Sequence, residues 1–311
     1  MNLIHAAADL NPGSRKVCVA IGVFDGVHLG HQQVIRQTIS DAAQHEAVSV
    51  VVTFDRHPNS IVAPDRVPPL IYPLEKKLRV IDSLGVNTAY LIRFDQSFSE
   101  IPGEKFIRDL ARDFKNIQSI CVGSTFTFGH KRSGNVSLLH VLGQELKFAV
   151  HGLANVSLDG QVVSSTRIRE AIRGGNIDFA SQMLGRPYSL FGRVVEGDRL
   201  GRKLLVPTAN LDATGLVVPP SGVYAAHAEA GGKKFRAVLN IGHRPTLEKP
   251  TPQLRVEAHL LDFDKEIYGE ELELTFVQKL REEEKFSSTA ALKQQIAKDI
   301  KQACVFFDGA H

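Results

Sequence analysis

The chain has 311 residues, 43% of them hydrophobic and 23% charged, with a net charge of +3. That length holds about two domains of ordinary size, and the composition is that of a soluble globular protein rather than a disordered or fibrous one. So small a net charge excludes the dense basic face of a dedicated nucleic-acid binder, and no apolar run approaches a membrane span. Three dispersed cysteines, Cys18, Cys121 and Cys304, make neither a disulfide framework nor a zinc spacing and point to a reducing cytoplasm. The opening MNLIHAAADLNPGSRK lacks the basic start and apolar core of a secretory signal.

The predicted elements begin with a short apolar run, VCVAIGVF (Val17 to Phe24), that ends among glycines. HQQVIRQTISDAAQ follows with Val34, Ile35, Ile39 and Ala42 at helical spacing. VSVVVTF (Val48 to Phe54), TAYLIRF and IQSICVG are three more buried-strand candidates. LEKKLRVIDSLG and GEKFIRDLARDF separate them as helices, the first closed by Gly85 as a C-terminal cap. Apolar strands alternating with amphipathic helices predict βαβ units and a parallel sheet. Helices dominate from Thr166 to Leu184.

Beyond LGRPYSL (Leu184 to Leu190) the pattern changes. FGRVVEG, GVYAAHAEAGG, KKFRAVLNIG, LRVEAHLLDF and ELELTFVQKL are short β segments, with EAGGKK and LDFDKEIYGEEL as hairpin connections. STAALKQQIAKDIKQACVFF closes the chain as a helix. The second half reads as an antiparallel barrel or sandwich with a terminal helix. The expected division is residues 1–186 and 187–311.

GVFDGVHLGH (Gly22 to His31) holds the most chemistry. Glycines at a strand-to-helix turn let backbone approach a ligand, and the N–H groups and dipole at a helix start favour an anion. The stretch is neither a dinucleotide fingerprint nor a P-loop. His28 and His31, three apart at the helix start, can donate to phosphate oxygens and stabilise the charge that develops when pyrophosphate is displaced. Residue types alone leave two alternatives: a metal pair, against which no cysteine or third histidine stands nearby, and helix-start residues without a role.

GVFDGVHLGH resembles the H-x-G-H signature of the nucleotidyltransferase superfamily, in the form found in bacterial FAD synthetases. VVTFDRHP (Val51 to Pro58) resembles that family's second strand and flavin-side loop, and GSTFTFGHKRSGN (Gly123 to Asn135) its glycine-rich loop. SSTRIREAIRGGNIDFASQMLGRPY (Ser164 to Tyr188) resembles the segment that contacts nucleotide phosphates. By itself SSTRIR is equally an N-cap with an exposed arginine. The resemblance implies nucleotide contacts from Gly22, Phe24, Asp25, Gly26, Gly123, Thr125, Ser164, Ser165, Thr166 and Arg169, and flavin contacts from Phe54, His57, Pro58, Phe126 and Phe128.

VPTANL (Val206 to Leu211) and NIGHRPT (Asn240 to Thr246) resemble motifs of riboflavin kinase, which follows the adenylyltransferase module in bifunctional bacterial enzymes. The resemblance implies Mg²⁺ and ATP phosphates at Thr208 and Asn210, nucleotide contacts at Gly197 and Gly201, and Arg281 and Phe286 at the flavin. Thr208 and Asn210 are two apart, so an extended segment turns both the same way, and their neutral oxygens suit a well-hydrated Mg²⁺. Glu257 matches the family's catalytic base. Alternation alone makes Arg255, Glu257 and His259 one face of a strand, which on its own reads as a solvated face.

Two positions depart from the family: Thr125, where Asn or Asp is commoner, and Leu205–Val206, where Gly and Phe usually precede the proline. A threonine lacks an amide's two donors, and a lost glycine restricts backbone approach, so both are expected to weaken nucleotide positioning. The whole pattern implies an α/β nucleotidyltransferase-like parallel-sheet domain followed by an antiparallel β-barrel with a C-terminal helix. The expected activities are phosphorylation of riboflavin by ATP to FMN, then adenylylation of FMN by ATP to FAD and pyrophosphate. Riboflavin, FMN and ATP are the expected partners, with Mg²⁺, no nucleic acid and no membrane. The alternative is a non-catalytic flavin-binding regulator that keeps the pockets.

Overall fold

The computed structural model describes residues 1–10, 13, 15–197, 207–244 and 253–308, with the side chains of 243, 244 and 253 excepted. Gly201, Leu205, Val206 and the Pro245–Thr246 end of NIGHRPT lie outside the described residues. The chain forms two compact units, Met1–Arg167 and Ile168–His311.

In chain order the first unit contains β1 (Asn2–Ile4), β2 (Val17–Ile21), α1 (Leu29–Gln44), β3 (Val48–Phe54), α2 (Asn59–Val62), α3 (Leu74–Ser83), β4 (Thr88–Ile92), α4 (Gln96–Ser99) and α5 (Gly103–Phe114). It continues with β5 (Ile117–Gly123), the hairpin β6 (Thr127–Phe128) and β7 (Gly134–Asn135), α6 (Val136–Leu146), β8 (Ala149–Leu153), and the hairpin β9 (Ser157–Leu158) and β10 (Gln161–Val162). Helix α7 (Ser165–Arg173) crosses into the second unit.

The main sheet is six-stranded in the order β1-β4-β3-β2-β5-β8, and every pairing in it is parallel. Strands β2 and β3 are buried along their whole length, as a sheet covered on both faces requires. One face packs Val34 and Ile35 of α1 and Val80 and Ile81 of α3 against Ala20, Val51 and Cys121. The other packs Phe106, Ile107 and Leu110 of α5 and Leu139 and Leu142 of α6 against Val19, Val50 and Ile120. The chain runs from β2 outward through β3 to β4 and then returns to the other side of β2 with β5. The strand order therefore reverses between β2 and β5, and ligands of open α/β sheets bind beyond the carboxyl ends of the strands at such a point.

Cys18 and Cys121 are fully buried under α1. Burial raises both thiols and pushes Cys121 up to about 12, with Asp41 3.5 Å away adding to the rise. A thiol held protonated and out of solvent is a poor nucleophile. A maleimide at neutral pH is therefore expected to label Cys304 alone in the native protein and all three cysteines after denaturation. Native labelling of two or three, read by intact mass, contradicts this packing.

The second unit continues with α8 (Ile177–Leu184), β11 (Ser189–Val195), β12 (Ala209–Leu211), β13 (Gly222–Ala230), β14 (Lys233–Arg244), β15 (Gln253–Leu260), β16 (Glu271–Arg281) and α9 (Thr289–Asp308). The strands close a barrel in the order β11-β12-β15-β14-β13-β16, every pairing antiparallel. Closure leaves no edge strand exposed. Gly231 and Gly232, both at positive φ, make the β13–β14 turn, the backbone that a two-residue hairpin of type I′ needs. Tyr188 stacks on Phe276 and Tyr224 meets it edge-on. Both hydroxyls are satisfied, by the Val217 and Pro220 carbonyls at 2.7 Å each. Ile300, Ala303 and Phe307 of α9 pack on Val223, Ala225, Val238, Val277 and Leu280, so the helix covers the outer face of β13, β14 and β16.

Candidate functional site

In the first unit the candidate site is built at the carboxyl end of β2. Phe24, Gly26 and Val27 all take positive φ, at 53°, 76° and 41°. Positive φ is a genuine outlier for a β-branched residue, and such strain persists where the surroundings over-determine it. Val27 is wholly buried, and its carbonyl accepts from Gln32 Nε2 at 2.9 Å. A Cβ at Gly26 would lie 2.8 Å from the Ile71 side chain, so this glycine is required twice, for its conformation and for its space.

The loop delivers His28 and His31 together. His28 caps α1, its Nδ1 accepting from the His31 N–H at 3.4 Å. With Nδ1 an acceptor, the proton of the neutral ring sits on Nε2. The two rings stack with centroids 3.6 Å apart, and the Phe24 ring meets His31 edge-on at 5.3 Å. A Cβ at Gly22 would touch the Phe24 ring at 2.9 Å, and one at Gly30 the His28 ring at 3.2 Å. Both glycines thus make room for the aromatic stack. His28 is 7% exposed and His31 half-buried.

Asp25 is 4% exposed. Its carboxylate accepts from the Ile71 N–H at 3.0 Å, which ties the loop to the segment before α3. The Ser165 hydroxyl donates to the Asp25 carbonyl at 3.0 Å, across 140 residues, and so brings the S-S-T segment to the H-x-G-H loop. Ser164 caps α7, accepting from the Arg167 N–H at 3.3 Å. Arg167 donates to the Leu158 and Gln161 carbonyls and holds the β9–β10 hairpin. Thr166 is exposed and Arg169 is 6% exposed.

Gly123 ends β5 beside β2, with open space where a Cβ would stand. Thr125 is exposed in the loop beyond it. Phe54 and Phe128 are core residues, in a chain of ring contacts that runs Phe54–Phe94–Phe98–Phe106–Phe128–Phe126. Of the three phenylalanines expected at the flavin in this unit, Phe126 is the half-buried one. His57 accepts from the Asn59 N–H at 3.1 Å, and Pro58 stands immediately before α2. Burial works against ionisation of Asp55 in the same loop, but the Phe94 N–H and Arg56 outweigh it and hold the carboxyl below its usual value.

In the barrel, strand register makes the second candidate site. Asn210 of β12 stands opposite Glu257 of β15, and Glu257 opposite Asn240 of β14. Directly opposed residues share a face with Cβ atoms about 5 Å apart. Val256, Ala258 and Leu260 fill the interior, so Asn210, Glu257 and Asn240 form a half-buried row on the outer face. Gly197 lies so close to the Asn210 amide that any side chain there would displace it. An open cavity of about 330 Å³ is lined by Gly197, Pro207, Thr208, Asn210, Phe263 and Tyr268, among others, within the usual size of a ligand pocket.

Arg281 is clasped by Asp299 of α9 through two bonds, at 2.9 and 2.8 Å, and its guanidinium lies 5.6 Å from the centre of the Phe286 ring. The hydrogen bonds it donates to Asp299 raise its pKa further. Arg281 and Phe286 therefore meet, with Arg281 tied to the terminal helix.

Three residues not named as site candidates stand at these places, the first of them opening the NIGHRPT motif. Asn240 completes the row. The His259 ring meets the Pro207 carbonyl at 2.8 Å through Nδ1 and holds the start of the P-T-A-N segment. Lys77 is buried beneath the first site; its signal was a lysine on the apolar stripe of a helix, three and four residues before Val80 and Ile81.

Residues 11–167 match the family model for FAD synthetase, and residues 184–307 that for riboflavin kinase. The chain is 35% identical over 309 residues to a bifunctional riboflavin kinase/FMN adenylyltransferase of Haemophilus influenzae, covering 99% of this chain and 100% of the relative. It is also 35% identical to the protein of the same description from Bacillus subtilis, with 99% and 98% covered. A solved structure described as a macrolide-efflux protein from Streptococcus pneumoniae superposes with a TM-score of 0.81 at 29% identity, over 97% of this chain and 98% of that one. Among the described residues no helix is long and apolar enough to cross a membrane.

Proposed function

The chain belongs to the family of bifunctional riboflavin kinase/FMN adenylyltransferases, and from that premise we propose a division of labour between its two halves, at residues 186 and 187. The end of helix α8 at Leu184 and the start of the first barrel strand at Ser189 support that junction, while the two compact units divide earlier, between Arg167 and Ile168. The barrel converts riboflavin and ATP to FMN, and the parallel-sheet domain converts FMN and a second ATP to FAD and pyrophosphate.

In the barrel, Glu257 accepts the proton of the ribityl hydroxyl as that oxygen attacks the γ-phosphorus and the bond to ADP breaks. Asn210, opposite Glu257 across the strand pair, and Thr208, which lines the cavity together with Asn210, present neutral oxygens. Among the described residues no cluster of three His, Cys, Asp or Glu side chains could hold a metal ion. That donor set fits a Mg²⁺ that keeps its waters and leans on ATP, with Thr208 and Asn210 as its protein partners. When bound, the ion offsets charge on the phosphates. Gly197, against the Asn210 amide, keeps that partner aimed.

In the parallel-sheet domain a phosphate oxygen of FMN attacks the α-phosphorus of ATP and pyrophosphate leaves. His28 and His31 donate hydrogen bonds to the oxygens on which charge develops. Ser164, Ser165, Thr166 and Arg169 at the start of α7 hold the phosphates, and the N-terminus of α1 adds its dipole. Phe24 and Asp25 act one step back, the first by fixing the His31 ring and the second by anchoring the loop. Phe126, His57 and Pro58 border the flavin. Three unpaired cysteines and a small net charge support a cytoplasmic enzyme that binds neither membrane nor nucleic acid.

The observation that carries this reading is the register that sets Glu257 against Asn210 in a chain that also stacks His28 on His31. A flavin-binding regulator without activity needs neither arrangement. Purified protein given riboflavin, ATP and Mg²⁺ is expected to form FMN first and FAD later, resolved by chromatography. Flavin binding without turnover would overturn the reading.

A further inference from the structure

Lys77, on α3, projects beneath the loop that holds His28 and His31. It is 7% exposed. Its ammonium donates to the Phe54 carbonyl at 2.8 Å, to Thr53 Oγ1 at 3.2 Å and to the Val23 carbonyl at 3.3 Å. Thr53 Oγ1 in turn donates to the Val23 carbonyl at 3.1 Å. These acceptors lie at the carboxyl ends of β2 and β3, from which the two loops of the candidate transfer site depart. An ammonium has three donors for three acceptors; a neutral amine has two, and its lone pair would then face an oxygen.

The groups around it are charged. Asp25 from the β2 loop, Asp55, Arg56 and His57 from the β3 loop, and Tyr72 from the segment before α3 line the same small cavity as Lys77. On its own helix the neighbouring charges are Glu75, Lys76 and Arg79. Burial pulls the lysine pKa down to about 8, against the opposing pull of Asp25 and Asp55.

We infer that the Lys77 ammonium is a positioning residue for adenylyl transfer: it pins the ends of β2 and β3 together and so holds the His28–His31 loop in register with the His57 loop. This rests on reading the parallel-sheet domain as the FMN adenylyltransferase. Loss of the proton releases one of the three acceptors and loosens the anchor that the two loops share. The consequence is specific to one activity of a two-activity chain.

Stability moves the other way. The folded pKa lies below the unfolded one, so between about pH 8 and the ordinary lysine range the unfolded chain binds more protons. Stability from this group therefore rises with pH through that window. An alkaline loss of FAD formation through Lys77 is thus not an unfolding effect.

The test measures FAD formation from FMN and FMN formation from riboflavin on the same full-length preparation, from about pH 7 to about pH 9.5, with melting curves at each pH. The expected result is a kcat for FAD formation that falls about tenfold per pH unit above an inflection near 8. FMN formation shows no matching inflection, and the melting temperature does not fall. Lys77→Met is expected to lower kcat for FAD formation by at least about tenfold at neutral pH, to flatten the alkaline limb and to leave FMN formation intact. A level wild-type profile for FAD formation overturns the inference. So does an inflection shared by both activities, or a Lys77→Met enzyme that keeps the parent kcat and profile. Should Lys77→Met fail to fold, the wild-type profiles decide. Absence of FAD at every pH instead overturns the reading of the domain itself, and the inference falls with it.

Discussion

Replacing His28 with asparagine is expected to lower FAD formation from FMN and ATP by about 10²–10³-fold, the usual cost of removing one donor aimed at a developing charge. FMN formation from riboflavin should be unchanged. Asparagine is the informative replacement because His28 has two jobs. Its Nδ1 caps α1, and an asparagine oxygen can take over that bond, whereas alanine would also cost about 1 kcal/mol of cap. His31→Gln should give a comparable loss, because the two rings are stacked and, on the proposed mechanism, address the same phosphate. Groups that act as a unit are far from additive, so the double variant should lose little more than either single one. A His28→Asn enzyme that makes FAD at the parent rate would leave the imidazoles as a structural cap and nothing more.

Glu257→Gln is expected to do the reverse. General-base catalysis contributes about 10²–10⁴-fold, so riboflavin phosphorylation should fall by that amount. FAD formation from supplied FMN should be unaffected. Glutamine preserves the size of the side chain and its place between Asn210 and Asn240. The fall should appear in kcat rather than in the KM for riboflavin, since the lost interaction is made only as the proton moves. A loss confined to KM would make Glu257 a binding residue and send the search for the base along the same face, to His259.

The interior of the fold was largely written in the sequence. Strands Val48–Phe54 and Ile117–Gly123 and helix Gly103–Phe114 fall where the apolar runs and their spacing put them. The two strands are covered on both faces, and the helix buries one apolar face and exposes a charged one. What patterning does not reveal is at the margins. Strands β1 and β8 form the two edges of the sheet, and β8 is half-exposed along its length, so no continuous apolar run marks it. Helix α6 carries Gly143 on its buried side, where the Phe148 carbonyl stands 2.7 Å from where a Cβ would be; close packing that needs a glycine weakens the helical signal.

The sites divide in the same way. The H-x-G-H and P-T-A-N segments are local, and residue order alone places His28 near His31 and Thr208 near Asn210. The role of Glu257 could be narrowed only to a strand face, because what stands opposite it depends on register, and register is set by every residue of a closed barrel. Lys77 and His259 act on carbonyls 23 and 52 residues away. No local pattern contains such a bond, although a lysine on an apolar stripe marks where to look. Phe54 and Phe128 carry family resemblance, yet core packing holds both rings.

The most direct test is complementation by mixing. Full-length His28→Asn and Glu257→Gln proteins are each incubated with riboflavin, ATP and Mg²⁺, separately and together, and the flavins are resolved over time. The account predicts FMN but almost no FAD from the first, almost no FMN or FAD from the second, and ready FAD formation from the pair as FMN made by one protein is adenylylated by the other. FAD from either protein alone at the parent rate, or none from the mixture, would contradict two separate active sites on one chain.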